Sequence, residues 1–331
     1  MSDNRRWHRR ALLSLGGAAL LPRPADAQGG TSWPERPVRI IIPFGAGAAH
    51  DVLVRLAAEQ LQSRLGQPFV CENRPGAGGN IGTEAVARAA PDGYTINAAT
   101  IGTLTINQFL YTRLPYDPVR DFVPSTLLWE SANCLFVSAQ QNPSTTLAEF
   151  ITWAKARPGG TTFSSAGAGT TPHLAGELFR LRAGFAATHV PYREGGQRVL
   201  DLASGTLDFA VDNVSTYTAL LGEGKIRALA VAAATRWPTL PDVPTMAEAG
   251  LQGLEVPTWG AFAFPAGTPP PVVEKLAGAM RQLAEDPAMQ QRFLRAGGKA
   301  VYATPADTAA FAMRERERWQ AVVLASGARV D

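Results

Sequence analysis

Short β-branched runs alternate with longer segments of helical period through most of this chain, and that alternation restricts it to an α/β architecture built on parallel strands. Val38-Arg39-Ile40-Ile41-Ile42 reads as a buried strand. Leu53, Leu56, Ala57, Leu61 and Leu65 then recur at helical spacing until Gly66 stops the helix. Further strands are expected at 69–72, 94–98, 135–138, 161–165, 189–190, 207–211, 226–233 and 259–264. Helices are expected at 81–90, 147–156, 171–181, 196–203, 217–221, 272–284, 289–296 and 306–324. Such units pair in parallel through right-handed crossovers. A chain of 331 residues is too long for one ordinary core and suits two lobes, with 121–133 and 250–258 as passages between them.

The first residues read as a secretory signal peptide, residues 1–27. Arg5, Arg6, Arg9 and Arg10 precede a short apolar run, and Ala25-Asp26-Ala27 forms a small-residue cleavage site, so the mature chain is expected to begin at Gln28. The run is too short to stay in a bilayer as a helix. The paired arginines allow either the Sec or the twin-arginine route. Removing the five arginines and two aspartates of this segment from 31 basic and 28 acidic side chains leaves 26 of each. A neutral mature protein gives no basic footprint for nucleic acid. Cys71 and Cys134 both sit in apolar runs and read as buried free thiols, although an exported protein can hold a disulfide.

Ligands of parallel α/β sheets sit beyond the carboxyl ends of strands, where helices begin. Two segments have that design. Phe44, Gly45, Ala46, Gly47, Ala48, Ala49, His50 and Asp51 link a strand to a helix, and the small residues let backbone N–H groups approach an anion. The other reading is a tight turn with Asp51 as N-cap. Ser165, Ala166, Gly167, Gly169, Thr170, Thr171 and His173 form the second, with the hydroxyls of Ser165, Thr170 and Thr171 as donors to a carboxylate, or Thr170 or Thr171 as caps. Neither loop is followed by the Gly-Lys-Ser/Thr of a phosphate-binding Walker motif. No Gly-x-Ser-x-Gly elbow is present, and the three histidines beyond residue 27 (50, 173, 189) lack zinc spacing, which leaves no metal and no cofactor expected.

Taken in order, these segments resemble the Bug/TctC substrate-binding proteins of tripartite tricarboxylate transport systems. The resemblance is carried by Trp33-Pro34-x-x-Pro37-Val38-Arg39-Ile40-Ile41-Ile42-Pro43-Phe44, Glu72-Asn73-Arg74-Pro75-Gly76-Ala77-Gly78-Gly79-Asn80 and Ala90-Pro91-Asp92-Gly93-Tyr94. It continues through Leu114-Pro115-Tyr116-Asp117-Pro118, Ser165-Ala166-Gly167-x-Gly169-Thr170-x-x-His173, His189-Val190-Pro191-Tyr192, Leu240-Pro241-Asp242-Val243-Pro244 and Pro265-Ala266-Gly267-Thr268-Pro269. It implies an α/β type II periplasmic-binding-protein fold: two lobes with parallel-dominated sheets around a central cleft, and two interlobe crossings. Lobe 1 would comprise 28–132 plus 253–331, and lobe 2 residues 133–252. It also implies a monomeric, periplasmic, non-catalytic protein that takes a small carboxylate (a di- or tricarboxylate, an amino acid or an aromatic acid) to membrane permease subunits. Asp212 and Asn213 match a cleft-facing pair of the family, and Thr100 and Asn107 lie where other members line the pocket.

The first loop departs from the family's Pro-Phe-x-Pro-Gly-Gly-x-x-Asp. Ala46 stands for the proline, Ala48 for a glycine, and His50 for a small or hydroxyl residue; His50 either adds a donor or partial charge at the cleft and tunes ligand choice, or is an exposed histidine on the loop's outer face. Two alternatives remain: a sensory protein presenting its ligand to a membrane receptor, and a hydrolase using Ser165 and His173, for which no third partner is recognisable.

Overall fold

The computed structural model describes residues 32–330 apart from 48, 193 and 194, and leaves aside the side chains of 195, 325 and 326. The expected signal peptide and the start at Gln28 lie outside the described residues.

The elements run β1 (Val38–Ile42), α1 (Ala49–Leu65), β2 (Phe69–Asn73), a 3-10 turn (Ala77–Gly79), α2 (Asn80–Ala87), β3 (Thr95–Thr100), a π-helical turn (Gly102–Ile106), α3 (Asn107–Leu110) and β4 (Phe122–Ser138). They continue with α4 (Leu147–Ala156), β5 (Thr161–Ser165), α5 (Thr171–Ala183), β6 (Ala187–Pro191), α6 (Gly195–Ser204), β7 (Ala210–Asn213), α7 (Val214–Gly222) and β8 (Ile226–Val231). The chain ends with β9 (Pro257–Pro265), α8 (Pro270–Ala284), α9 (Pro287–Arg295), β10 (Lys299–Ala300) and α10 (Pro305–Ser326).

One sheet has the order β2-β1-β3-β9-β4-β10. β1 pairs in parallel with β2 and β3, and β9 runs antiparallel to β3. The second sheet forms around the other end of β4, which pairs antiparallel with β7 and β8, while β5 and β6 pair in parallel and Phe163 bridges to Phe209. In each sheet, therefore, the strand–helix–strand part is parallel, and an interloping strand from the other half of the chain runs against it.

β4 is the first crossing. Residues Phe122 to Ala132 pair with β9, and Asn133 to Ser138 pair with β7 and β8. Only 135–138 of this strand was expected as β-structure, because Pro124, Ser125, Ser131 and Asn133 interrupt the apolar pattern. Pro124 is accommodated where the register shifts. The polar side chains are buried with partners: Ser125 Oγ donates to Val273 O at 3.0 Å and Ser131 Oγ to Gly297 O at 2.8 Å. The second crossing lies beside the first. Ala232 N donates to Asn133 O, Val256 N to Ala232 O, and Asn133 Nδ2 to Val256 O at 2.9 Å, so one asparagine ties both connections.

The cores follow the pleat. Ile40 and Ile42 pack with Leu53, Ala57 and Leu276, while Ile41 faces the opposite side with Ala99 and Trp259. Likewise Cys134 and Phe136 pack with Tyr217, while Leu135 and Val137 face Phe150, Phe163 and Phe209. Burial on both faces explains why the strands read as continuous apolar runs. Cys71 is half-buried and Cys134 buried, both as free thiols.

Candidate ligand-binding site

A cavity of about 220 Å³ opens where the two sheets meet. Three helices begin on it. α1 contributes Ala49 and His50 behind Phe44, and α5 contributes Thr170, Thr171 and Pro172 behind Ala166 and Gly169. α7 contributes Ser215 and Thr216 behind Asp212 and Asn213. First-turn N–H groups lack intrahelical acceptors and carry the positive end of the helix dipole, so three convergent N-termini favour an anion. The remaining wall is Thr100, Asn107, Tyr111, Trp129, Ser131 and Thr258.

Within the first loop, Gly45, Ala46 and Gly47 line the adjoining mouth and not the cavity itself. Ala48 lies outside the described residues. The left-handed backbone falls on Gly47, at φ 81°, a position where glycine is retained; Ala46 is not in that region. Asp51 turns away from the cavity. Its carboxylate accepts from Gly47 N at 2.9 Å, Asn73 Nδ2 at 2.8 Å and Arg55 Nε at 3.0 Å, and Asn73 also donates to Phe44 O. Burial works to raise its pKa, but those hydrogen bonds hold it below the usual carboxylate range. Asp51 braces the loop.

His50 corrects an expectation. It lines the cavity but brings no charge and no free donor, because both ring nitrogens are engaged. Nε2 donates to Ala98 O at 2.8 Å, and Nδ1 accepts from Trp129 Nε1 at 3.1 Å. Burial lowers its pKa from 6.5 to about 4, against the opposing pull of the Ala98 carbonyl and Asp51. The unfolded chain thus binds a proton here below pH 6.5 and the folded chain only below about 4, so stability falls as pH drops through that window. The loss amounts to roughly 3 kcal/mol at its largest. Thermal melts of ligand-free protein from pH 7 to 4 should show a falling midpoint whose slope lessens in His50→Gln; the same slope in both proteins would contradict this account.

The second loop is held by its own hydroxyls. Ser165 Oγ donates to Gly167 O at 2.9 Å, Thr170 Oγ1 donates to the same carbonyl at 2.7 Å, and His189 Nε2 lies 2.6 Å from Ser165 Oγ. Since Ser165 gives its proton to Gly167, His189 is the donor to Ser165. Of the three hydroxyls expected to meet a carboxylate, only Thr171 is left at the cavity; those of Ser165 and Thr170 shape the loop. Gly169 N donates to His173 Nδ1 at 3.0 Å, and Glu177 pairs with Arg180. Ser165, Gly167 and His173 therefore sit behind the wall and Ala166, Gly169, Thr170 and Thr171 in it. Among the described residues no cluster of metal-ligating side chains is present.

Thr100, Asn107, Asp212 and Asn213 all reach the cavity. Asn107 donates to Asn80 Oδ1 at 2.6 Å and to Gly78 O at 3.2 Å, which fixes its amide. Reading the sequence missed Arg198, on α6, whose Nε donates to Asp212 Oδ2 at 3.0 Å. The signal was present: Arg198 precedes the buried Leu202 by one helical turn and so occupies the inward face of α6.

Two lobes joined by two adjacent connections, with helix N-termini from both around one cavity, define a two-lobed solute-binding protein of the type II architecture. The sequence profile described as the tripartite tricarboxylate transporter family receptor, TctC, matches residues 53–328, and the chain belongs to this family. It is 35% identical over 300 residues to Protein BugT of Bordetella pertussis, covering 90% of this chain and 92% of BugT. The solved structure of R. palustris Rpa4515 with adipate superposes with a TM-score of 0.84 at 35% identity, covering 90% of this chain and 100% of that one. MatC from Rhodopseudomonas palustris with bound malate gives 0.78 at 32% identity, covering 88% and 100%.

Proposed function

We propose that this chain is an extracytoplasmic solute-binding protein that captures a small carboxylate between its lobes for the membrane permease subunits of a tripartite tricarboxylate-type transporter. The observation that carries the reading is the convergence of three helix N-termini on one cavity, at the ends of strands from both sheets. The ligand carboxylate meets the starts of α1 and α5, with Thr100, Thr171, Asn107 and Asn213 as its polar surroundings. Adipate and malate in the two R. palustris relatives are acids of this class.

The closing bodies are 28–132 with 253–331, and 133–252, swinging about the paired crossings at Asn133 and Val256. The N-terminal signal directs the chain to the periplasm, and among the described residues no helix is long and apolar enough to cross a membrane. A monomer suffices, since one pair of lobes encloses a whole site. No catalytic step is assigned. Ser165, the candidate nucleophile, is fully buried with its proton given to Gly167, out of reach of a substrate carbonyl.

The test is thermal melting of protein beginning at Gln28, refolded to strip carried-over ligand, against di- and tricarboxylates, amino acids and aromatic acids. A ligand at about 100 times its Kd stabilises by about 2.7 kcal/mol. A shift confined to one class of acid is the expected result, and no shift with any acid overturns the reading.

A further inference from the structure

Arg198 and Asp212 are the ionised side chains among the described lining residues, and both are withdrawn from solvent, at 9% and 1% side-chain exposure. A pair so placed either serves packing alone or serves the ligand, and its connections separate the two. Asp212 is fully committed: Oδ2 accepts from Arg198 Nε at 3.0 Å and Oδ1 from Asn213 N at 2.7 Å. Both carboxylate oxygens are thus already engaged, and the charge of Asp212 is balanced within the protein. Arg198 is not committed in the same way. Its hydrogen bond to Asp212 leaves from Nε, with the Tyr217 hydroxyl near both groups, and a guanidinium carries two further amino groups in a planar fork that matches a carboxylate. Beside it, Ser215 Oγ and Asn213 Oδ1 are buried without a hydrogen-bond partner and line the same cavity. A buried hydroxyl without a partner next to a held guanidinium is a place for an acceptor.

Arg198 and Ser215 line both the cavity and its adjoining mouth, where Phe44 to Gly47 and Ala166 also lie, so a ligand that fills the cavity and extends into the mouth passes the guanidinium. We propose that Arg198, held in place by Asp212, takes a second acidic group of the ligand and makes the protein select dianionic acids over the matching monoacids. This rests on the carboxylate-binding reading above. Asp212 is the positioning residue: it fixes the guanidinium and does not touch the ligand.

The experiment is calorimetric titration with matched pairs: succinate and butyrate, adipate and hexanoate, terephthalate and benzoate. The wild-type protein should bind at least one diacid about 100-fold more tightly than its monoacid. Arg198→Met with Asp212→Asn removes the pair together, leaves no unpaired buried charge, and should reduce that preference to a few-fold. Arg198→Lys, which keeps charge and loses the fork, should fall between. A double variant that keeps the full preference overturns the proposal. So does a wild-type protein that binds monoacids and diacids equally, although that result leaves the carboxylate reading standing. Binding of no acid at all overturns both.

Discussion

Replacing Gly297 with alanine lowers ligand affinity about 10–100-fold while costing the folded protein only about 1 kcal/mol. Gly297 follows α9 at φ 86°, the left-handed position after a helix end, where alanine costs roughly 1 kcal/mol. The larger effect comes from what it faces. A Cβ on Gly297 would lie 1.9 Å from Ser215 Cβ and 2.8 Å from Ser215 Cα, on the first turn of α7. Backbone of that turn cannot yield as the end of a flexible side chain could. Gly297 falls in the proposed lobe 1 and Ser215 in the proposed lobe 2, so under the proposed hinge closure the clash is confined to the closed form. Overpacking of this kind costs about 1–3 kcal/mol, charged against the closed form alone, and ligand that needs the closed form binds more weakly by the corresponding factor. Isothermal titration with the acid identified by melting, together with small-angle scattering, checks it: the variant should stay extended at ligand concentrations that compact the wild type. Gly278→Ala is the control, because α8 leaves open space around that position and affinity should not change. Equal affinity in Gly297→Ala and wild type would mean that this contact does not form part of the closed cleft.

The parts of the fold that could be read from the residues are those where one physical signal dominates. α4 starts and ends where expected because Thr146 and Glu149 form a reciprocal cap and Leu147, Phe150 and Ala154 repeat on one face. β5 was legible as Thr161-Thr162-Phe163, two β-branched residues and an aromatic, ahead of a small-residue loop. β4 was not, since its buried serines and asparagine are matched by partners distant in sequence, Val273, Gly297 and Val256. The π-helical turn and α3 were missed because Gly102 to Leu110 has neither a helix period nor a cap signal. The two loops were found by their position between strand and helix, but the use of their side chains was not: whether Ser165 faces a ligand or its own loop depends on Gly167 and on His189 of a neighbouring strand. Arg198 was passed over because an arginine on a charged helix normally faces water, and only the arrival of Asp212 from β7 makes its burial tolerable.

Arg198→Met alone should destabilise the protein by about 3–5 kcal/mol, the largest stability effect expected of any substitution in the cleft. The loss is not the worth of the ion pair, whose attraction is largely offset by desolvation of both partners. It arises from what remains: Asp212, at 1% side-chain exposure, keeping a negative charge with one backbone N–H for company. Two consequences separate this account from simple loss of packing. First, Arg198→Met with Asp212→Asn should recover most of the loss, because the asparagine oxygen still accepts from Asn213 N and no charge is stranded; a double-mutant cycle by urea unfolding measures the coupling. Second, the loss should depend on pH. Burial already raises the Asp212 pKa above its usual value, with the nearby guanidinium opposing it, and removal of Arg198 raises it further. The folded variant then takes up a proton more readily than the unfolded chain, so the penalty is full above the raised pKa and shrinks as pH falls through it. A penalty equal at pH 7 and pH 5, and unrelieved in the double variant, would assign the effect to lost side-chain packing in α6 and not to the stranded carboxylate.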